Sequence, residues 1–421
     1  MTGSRGTAER VQFGVAAVLL PLALALVVSA GGMLLETPDV FAQHLINGLT
    51  LGALFALIAL GYTMVYGIIE LINFAHGEVF MVGSFLGLIV IRMCFGWGVT
   101  SLWIVGPAAL LVAMVGCAAL GVALDSVAYK PLRRAPAWSA IALAALAVAG
   151  LALVLRGEAA GFGLGRVLGY AILVGGAWTA FHLDERSPSS PRSTPRLNAL
   201  LSAIGASIFL QNLVMLVVGR DTQPFPQLSD FTGLAQTHWD IGSIRLLYIE
   251  PLTLFAALGL MIALDLFVSR TRLGKGMRAT AQDPEAAMML GIPVNRVITT
   301  TFVVGSALAA AAGILYGLRY GGVKFNDGFI IGLKAFVAAV LGGIGNIRGA
   351  MLGGFLLGLS ETVVIATMEF GWEGLGARVD DDDWPKAEFH DYKDAIAFLI
   401  LVAVLSFRPS GLLGAPEIEK V

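Results

Sequence analysis

About twelve apolar runs, most of them near the length that crosses a lipid bilayer, dominate this sequence of 421 residues. A helix rises about 1.5 Å per residue, so roughly 20 apolar residues cover the ~30 Å hydrocarbon layer. With 57% hydrophobic and 13% charged residues, the composition is that of a polytopic membrane protein. The sequence therefore predicts an all-α, polytopic transmembrane helix bundle of about 10–12 spans. The runs are approximately 11–31, 44–67, 71–93, 102–124, 138–156, 165–182, 199–218, 247–268, 298–318, 332–345, 349–368 and 394–408.

Two of these runs differ from an ordinary span. The run at 332–345 is short and rich in glycine, which predicts a broken or re-entrant segment buried by protein. The run at 11–31 follows Arg5 and Arg10 and has the form of a signal peptide, but it exceeds the usual apolar length of about 7–15 residues. We interpret it as a retained span.

Basic residues indicate the orientation of the chain. Short loops at 130–134, 185–196 and 270–296 are rich in lysine and arginine, and such loops stay on the cytoplasmic side. The segment 369–393 instead carries the acidic run Asp380–Asp383, and we expect it to be an acidic periplasmic loop. The pattern predicts cytoplasmic N- and C-termini.

The sequence does not support a catalytic or metal centre. Its two cysteines lie in or beside apolar runs and its five histidines are scattered, so neither a disulfide framework nor a metal cluster is indicated. We predict no catalytic residue, no metal and no cofactor.

A polar, basic island at 270–296 interrupts the apolar sequence and indicates a docking site for a soluble partner. Asp283 is suited to cap a short helix that begins at Pro284 and ends at Gly291. A helix of about two turns is not stable alone, so it must pack against something. Its small and pliable side chains suit a partner's groove. The predicted coupling residues are Pro284, Glu285, Ala286, Ala287, Met288, Met289 and Gly291.

The EAA triplet, followed after three residues by Gly291, resembles the loop that ABC importer permeases insert into their ATPase subunits. The later I-x-L-P part of that motif is missing. An ordinary cytoplasmic loop is the alternative interpretation.

A second polar cluster occupies residues 70–80. Glu70, Asn73 and His76 recur at intervals of three and would share one face of a helix, whereas Glu78 would lie elsewhere on it. Polar groups so close to an apolar span need partners. We expect a clamp between helices, with contact to substrate as the alternative.

The segment 339–358 is rich in glycine, which lets helices approach backbone to backbone or lets carbonyls line a path. Asn346 and Arg348 interrupt it, and we interpret them as a cytoplasmic turn, with a pair lining the pathway as the alternative. The candidate residues here are Gly342, Gly343, Gly345, Asn346 and Arg348.

Six sequence blocks together resemble one bacterial family, the LivH-type permeases of the high-affinity branched-chain amino-acid ABC importer. Their order and spacing are similar to the family's from about residue 44 to residue 414. The blocks lie at 47–68, 72–85, 129–134, 200–213, 335–358 and 392–414.

The resemblance implies a single permease domain over residues 1–421, with the ABC importer permease type of fold, in the bacterial cytoplasmic membrane. It implies import of leucine, isoleucine or valine, with ATP hydrolysis in separate subunits. The implied partners are a second related permease, two cytoplasmic ATPase subunits, a periplasmic substrate-binding protein and membrane lipid, without nucleic acid.

The chain departs from the family pattern in two places. Residues 135–194 intervene between two of the blocks and contain two extra apolar runs, which we interpret as an inserted hydrophobic hairpin. An even number of added spans leaves the downstream topology unchanged. The second departure is the enlarged acidic loop at 369–393, which we interpret as a solvated surface rather than a metal site.

Two other functions remain open on the sequence. A urea or amide importer of the same architecture would share the N-x-A-H-G-E pattern that begins at Asn73 and ends at Glu78. A stand-alone secondary transporter or channel would explain the glycine-rich segment. It would have no use for an ATPase-docking helix.

Overall fold

The computed structural model describes residues 25–130, 149, 151, 196–232, 237–379, 392–408 and 410–414. Helices dominate this part of the chain, and the strands in it form two-stranded pairs only. The helices are α1 (Ala25–Glu36), α2 (Pro38–Ile69), α3 (Ala75–Gly96), α4 (Leu102–Leu124), α5 (Arg196–Val218), α6 (Ile249–Arg270), α7 (Arg272–Gln282), α8 (Pro284–Met289), α9 (Val294–Tyr320), α10 (Asp327–Gly342), α11 (Ile347–Val379) and α12 (Lys393–Phe407). The strands are β1 (Gln223–Pro224), β2 (His238–Ile241), β3 (Ile244–Leu247) and β4 (Gly322–Val323).

Within the described ranges, 7 helices are long and apolar enough to cross a membrane. They are α2, α3, α4 with its continuation to Tyr129, α5, α6, α9 and α11. The predicted all-α polytopic bundle is confirmed. Nearly all of the run at 138–156, all of the run at 165–182 and most of 11–31 lie outside the described residues.

Helices α10 and α11 differ in length from ordinary membrane spans. Helix α10 has 16 residues, about 24 Å of helix, so it is shorter than the membrane, as expected for a broken segment. The loop predicted from residue 369 is wrong in its first part, because α11 continues to Val379. No proline occurs in residues 369–379 to stop the helix, and the acidic run that follows lies outside the described residues.

The chain forms two compact units. The first contains residues 1–56, 238–254 and 337–421, and the second contains residues 57–237 and 255–336. In the first unit the backbones of α2 and α11 touch, because a side chain at Gly354 would overlap the main chain of Ala56, and one at Gly358 would overlap Gly52. The hairpin β2–β3 also belongs to this unit, where the Arg245 amide donates to Gln43 Oε1 at 3.1 Å.

Contacts within the second unit define two ends of its bundle. At one end, β1 pairs with β4, and Thr100 Oγ1 lies 3.0 Å from Thr232 Oγ1. At the other, which we call the α8 end, Ser202 Oγ donates to the Ala128 carbonyl at 2.8 Å. Helices α3, α5 and α9 begin at the α8 end, and α4 returns to it. Helices α3, α5 and α9 therefore run in one direction, and α4 runs in the opposite direction.

Candidate functional site

Helix α8 has the local structure that its sequence predicts. Asp283 Oδ1 accepts hydrogen bonds from the amides of Glu285 at 2.9 Å and Ala286 at 3.0 Å. Pro284 occupies the first turn, where its missing N–H costs nothing. Gly291 ends the turn with φ +79°, a left-handed conformation that disfavours a side chain. The capped helix is confirmed, and its role in coupling remains a prediction.

The two sides of α8 face different surroundings. Ala287 is 2% exposed and joins a hydrophobic cluster of its own chain, which includes Tyr129 and Phe302. Met288 packs at the edge of this cluster. Met289 and Leu290 are 88% and 80% exposed. The expectation that Ala287 contacts a partner is wrong. Residues two apart lie on opposite sides of a helix, so Ala287 packs against its own chain while Met289 is exposed.

Leu290 is an outward residue that the sequence reasoning missed. Glu285 and Ala286 are exposed beside it, as expected. The signal was available in the sequence, since Leu290 directly follows the predicted helix and precedes the glycine that ends it. The outward surface of α8 is therefore apolar at its tip and acidic at its start.

The expectation that Glu70, Asn73 and His76 share one helical face is wrong. Helix α2 ends at Ile69 and α3 begins at Ala75, so a non-helical connection separates Glu70 from His76. Glu70 adopts φ +52°, which costs a residue with a side chain about 1–2 kcal/mol and ends the helix. Asn73 closes the connection, because the His76 amide donates to its carbonyl at 3.0 Å.

Each polar residue around this connection has a different partner. Asn73 Oδ1 accepts a hydrogen bond from the Tyr129 hydroxyl at 2.9 Å, and both residues are buried. This bond joins the α2–α3 connection to the last residue of α4's continuation. Tyr129 is a site residue that sequence reasoning missed, because nothing near it in the sequence indicates a partner 56 residues away. Glu70, by contrast, is exposed.

His76 is 1% exposed and packs tightly inside the second unit. Its ring meets the Tyr62 ring edge to face, with centroids 4.8 Å apart. A side chain at Gly61 would overlap the imidazole, so α2 lies directly on it. The Nε2 atom has no hydrogen-bond partner among the described residues. This packing supports the clamp interpretation.

Glu78 lies one turn into α3 and is 0% exposed. Its Oε1 accepts a hydrogen bond from Ser207 Oγ at 3.2 Å, which joins α3 to α5. Its Oε2 lies over Gly328 and has no hydrogen-bond partner among the described residues. A buried side chain that bridges two helices supports the clamp interpretation for Glu78, as close packing does for His76.

A buried acid at the end of α4 was not singled out from the sequence. Asp125 accepts a hydrogen bond from Thr299 Oγ1 at 2.6 Å, and the Lys130 ammonium lies 3.7 Å from its carboxylate. The segment Asp125–Tyr129 forms one turn of π-helix. Such turns are rare and frequently occur at functional sites. A lone acid at the end of an apolar span was the signal for it.

The glycine-rich segment forms a turn in the first unit, between the end of α10 and the start of α11. Helix α10 ends at Gly342 and α11 begins at Ile347, and Gly343 and Gly345 have φ +105° and +90°. Asn346 Oδ1 accepts from the Gly349 amide at 3.2 Å, and Asn346 Nδ2 donates to the Leu413 carbonyl at 2.8 Å. The predicted turn is confirmed, and its cytoplasmic location remains a prediction.

Gly342 and Gly343 allow close backbone packing around this turn. A side chain at Gly342 would overlap the backbone of Gly349, and one at Gly343 would overlap Gly414. Arg348 lies on the surface of this unit. These contacts favour the turn over a pair that lines a pathway.

Comparison with known proteins identifies the family of the chain. The family model described as "Branched-chain amino acid transport system / permease component" matches residues 44–165 and 139–405. The chain belongs to this family. The two matched stretches meet within the segment 135–194 that we interpret as an insertion. Together with the apolar helices, membership makes the chain a multi-pass membrane permease.

Curated relatives in the branched-chain permease family cover nearly the whole chain. The high-affinity branched-chain amino acid transport system permease protein BraD of Pseudomonas aeruginosa is 38% identical over 381 residues, 90% of this chain and 98% of the relative. The proteins named LivH of Salmonella typhimurium and Escherichia coli K12 are each 36% identical over 386 residues, again 90% of this chain and 98% of the relative. No solved structure is significantly similar to the chain.

Proposed function

We propose that this protein is the permease subunit of an ATP-binding-cassette importer that carries leucine, isoleucine or valine across the bacterial cytoplasmic membrane. The observation that carries the proposal is the 36–38% identity to branched-chain amino acid permeases over 98% of their length. Their names describe high-affinity transport of these amino acids.

The proposed complex contains a second related permease, two cytoplasmic ATPase subunits and a periplasmic substrate-binding protein. ATP hydrolysis belongs to the ATPase subunits, and this chain supplies the path and the coupling element. The exposed apolar tip of α8, formed by Met289 and Leu290, supports ATPase docking because such side chains fit a partner's groove. Docking requires α8 to lie in the cytoplasm, which agrees with cytoplasmic termini and the basic loops.

The coupling step is mechanical. When ATP closes the two ATPase subunits, they displace α8 as a rigid element. Ala287 packs in one cluster with Tyr129 of the π turn and Phe302 of α9, so displacement of α8 moves both. Apolar walls distinguish one methylene by only about 1–3 kcal/mol, so selectivity belongs mainly to the substrate-binding protein.

The alternative functions receive less support. The relatives quoted above are named for branched-chain amino acids rather than urea or amides. A stand-alone secondary transporter has no use for a capped helix that presents Met289 and Leu290 outward. We therefore retain the importer as the proposal.

The test is purification through a tag on this chain, followed by reconstitution of the complex and its substrate-binding protein in lipid vesicles. We expect ATPase subunits to copurify with this chain. Labelled leucine should accumulate in the vesicles only when ATP is present, and labelled urea should not accumulate. Uptake of urea alone would favour the amide importer. Leucine uptake driven by an ion gradient, with no ATPase in the preparation, would favour a secondary transporter.

His76 provides a prediction about the clamp. Substituting His76→Ala removes the ring that fills the space between Gly61 and Tyr62, at a cost of about 2–4 kcal/mol. We expect a severalfold loss of folded permease in the membrane and an unchanged apparent affinity for leucine in what remains. The matched control is His44→Ala on α2, which is partly exposed and should have little effect on either quantity. Normal abundance with a weakened affinity for leucine would instead assign His76 to substrate contact.

The segment 135–194 provides a prediction about the insertion. Ser202 and Ala128, which lie close to its two ends along the chain, are joined by a 2.8 Å hydrogen bond, so a short connection can span the two flanks of the segment. Deleting 135–194 and joining Arg134 to Pro195 should leave complex assembly and leucine uptake largely intact. A second version with a short Gly-Ser linker controls for strain at the junction. Loss of the complex in both versions would place the segment in the core or in a partner interface.

A further inference from the structure

A continuous series of contacts leads from α8 into the polar centre of the second unit. Ala287 contributes to the cluster that also contains Tyr129 and Phe302, and the centroids of the Tyr129 and Phe302 rings lie 5.1 Å apart. A displacement of α8 therefore reaches the π turn at the end of α4 directly. Closely packed interiors transmit such displacements rather than absorb them.

The π turn fixes Tyr129 in relation to α9. At its first residue, Asp125 accepts the 2.6 Å hydrogen bond from Thr299, and at its last residue the Tyr129 ring packs on Phe302. The turn is thus attached to α9 at both ends. Tyr129, α8 and α9 are therefore joined by direct contacts into one packed body.

The hydroxyl of Tyr129 points out of this body toward the α2–α3 connection. It donates its hydrogen bond to Asn73 Oδ1 at 2.9 Å, and the Asn73 carbonyl accepts from the amide of His76, near the start of α3. The connection carries the strained Glu70, with φ +52°, and leads to the buried His76 and Glu78. Strained backbone of this kind clusters at switch regions, where the strain is part of the mechanism.

We propose that the Tyr129–Asn73 hydrogen bond is the link that transmits displacement of α8 to the start of α3. Tyr129 and Asn73 are then positioning residues of the transport cycle, and neither needs to touch substrate. The inference rests on the proposed function. It adds a specific route by which ATPase movement reaches the polar residues inside the membrane.

The test measures leucine taken up per ATP hydrolysed in vesicles that contain the complete complex and its substrate-binding protein. Tyr129→Phe keeps the ring packing on Phe302 and removes the donor, and Asn73→Ala removes the acceptor. We expect each variant to hydrolyse ATP and to transport about tenfold less leucine per ATP. The matched control is Tyr66→Phe on α2, whose hydroxyl makes no hydrogen bond with the described residues and which should retain the wild-type ratio.

The double variant separates a link from two independent defects. One hydrogen bond can be lost only once, so Tyr129→Phe with Asn73→Ala should give the same ratio as either single variant. Multiplied losses would overturn the inference, and so would a wild-type ratio in either single variant. Failure of both single variants to assemble would also overturn it, because the bond would then be a requirement of folding.

The same measurements distinguish failure of the proposed importer function from failure of the Tyr129–Asn73 link. In that case the wild-type complex itself would show no ATP-dependent leucine uptake, and the variants would have no ratio to change. A wild-type complex that couples normally, together with variants that couple equally well, would contradict only the link.

Discussion

Replacing Met289 and Leu290 together by aspartate should abolish ATP-driven leucine uptake while leaving the amount of folded permease unchanged. Both side chains are more than three-quarters exposed and contact little of their own chain. Burying two carboxylates against an apolar groove costs several kcal/mol, so we expect uptake to fall by about 100-fold. Uptake in vesicles and copurification of the ATPase measure the effect.

Two comparisons isolate the cause of this loss. Exchanging the residues as Met289→Leu and Leu290→Met keeps the surface apolar and should retain uptake. Ala287→Asp places a charge inside the cluster of Tyr129 and Phe302, and should instead remove the permease from the membrane. Normal uptake in the double aspartate variant would show that α8 is an ordinary loop and would revive the secondary transporter.

Gly354→Val should prevent stable folding of the permease. The first carbon of a side chain at Gly354 would overlap the Ala56 backbone, and the main chain of α2 cannot withdraw as a flexible side chain could. Overpacking of this kind costs about 3 kcal/mol or more. We expect the fraction of detergent-solubilised protein that elutes as a single species to fall at least tenfold.

The same helix supplies the control for this prediction. At Gly374 of α11, no atom of the described part of the chain lies within 4 Å of the position that a side chain would take, so Gly374→Val should solubilise as the wild type does. Equal yields from the two variants would contradict the close approach of α2 and α11. A low yield from both variants would indicate that valine destabilises α11 for a reason other than overlap with α2.

The elements that could be predicted from the sequence are those determined by neighbours along the chain. The apolar run at 102–124 became Leu102–Leu124, because continuous apolar sequence stays helical and its ends are set by polar residues. The cap of α8 could be predicted equally well, since Asp283, Pro284 and Gly291 affect only the one or two helical turns next to them. The turn at Asn346 was found for the same reason.

The features that escaped prediction depend on residues distant in sequence. The break after Ile69 contains no proline or glycine, and the left-handed Glu70 is maintained by surrounding structure rather than by local preference. The inward face of α8 depends on Tyr129 and Phe302, far from Ala287 in the sequence. No periodicity near residue 287 identifies those partners.

The contact between Ser202 and Ala128 has a practical consequence. The end of α4's continuation and the start of α5 lie side by side, so the chain between them could be replaced by a foreign domain whose own ends lie close together. A fluorescent protein exchanged for residues 135–194 would sit at the α8 end, beside the proposed ATPase. Paired with a second fluorophore on that subunit, it would report energy transfer as the complex cycles in living cells.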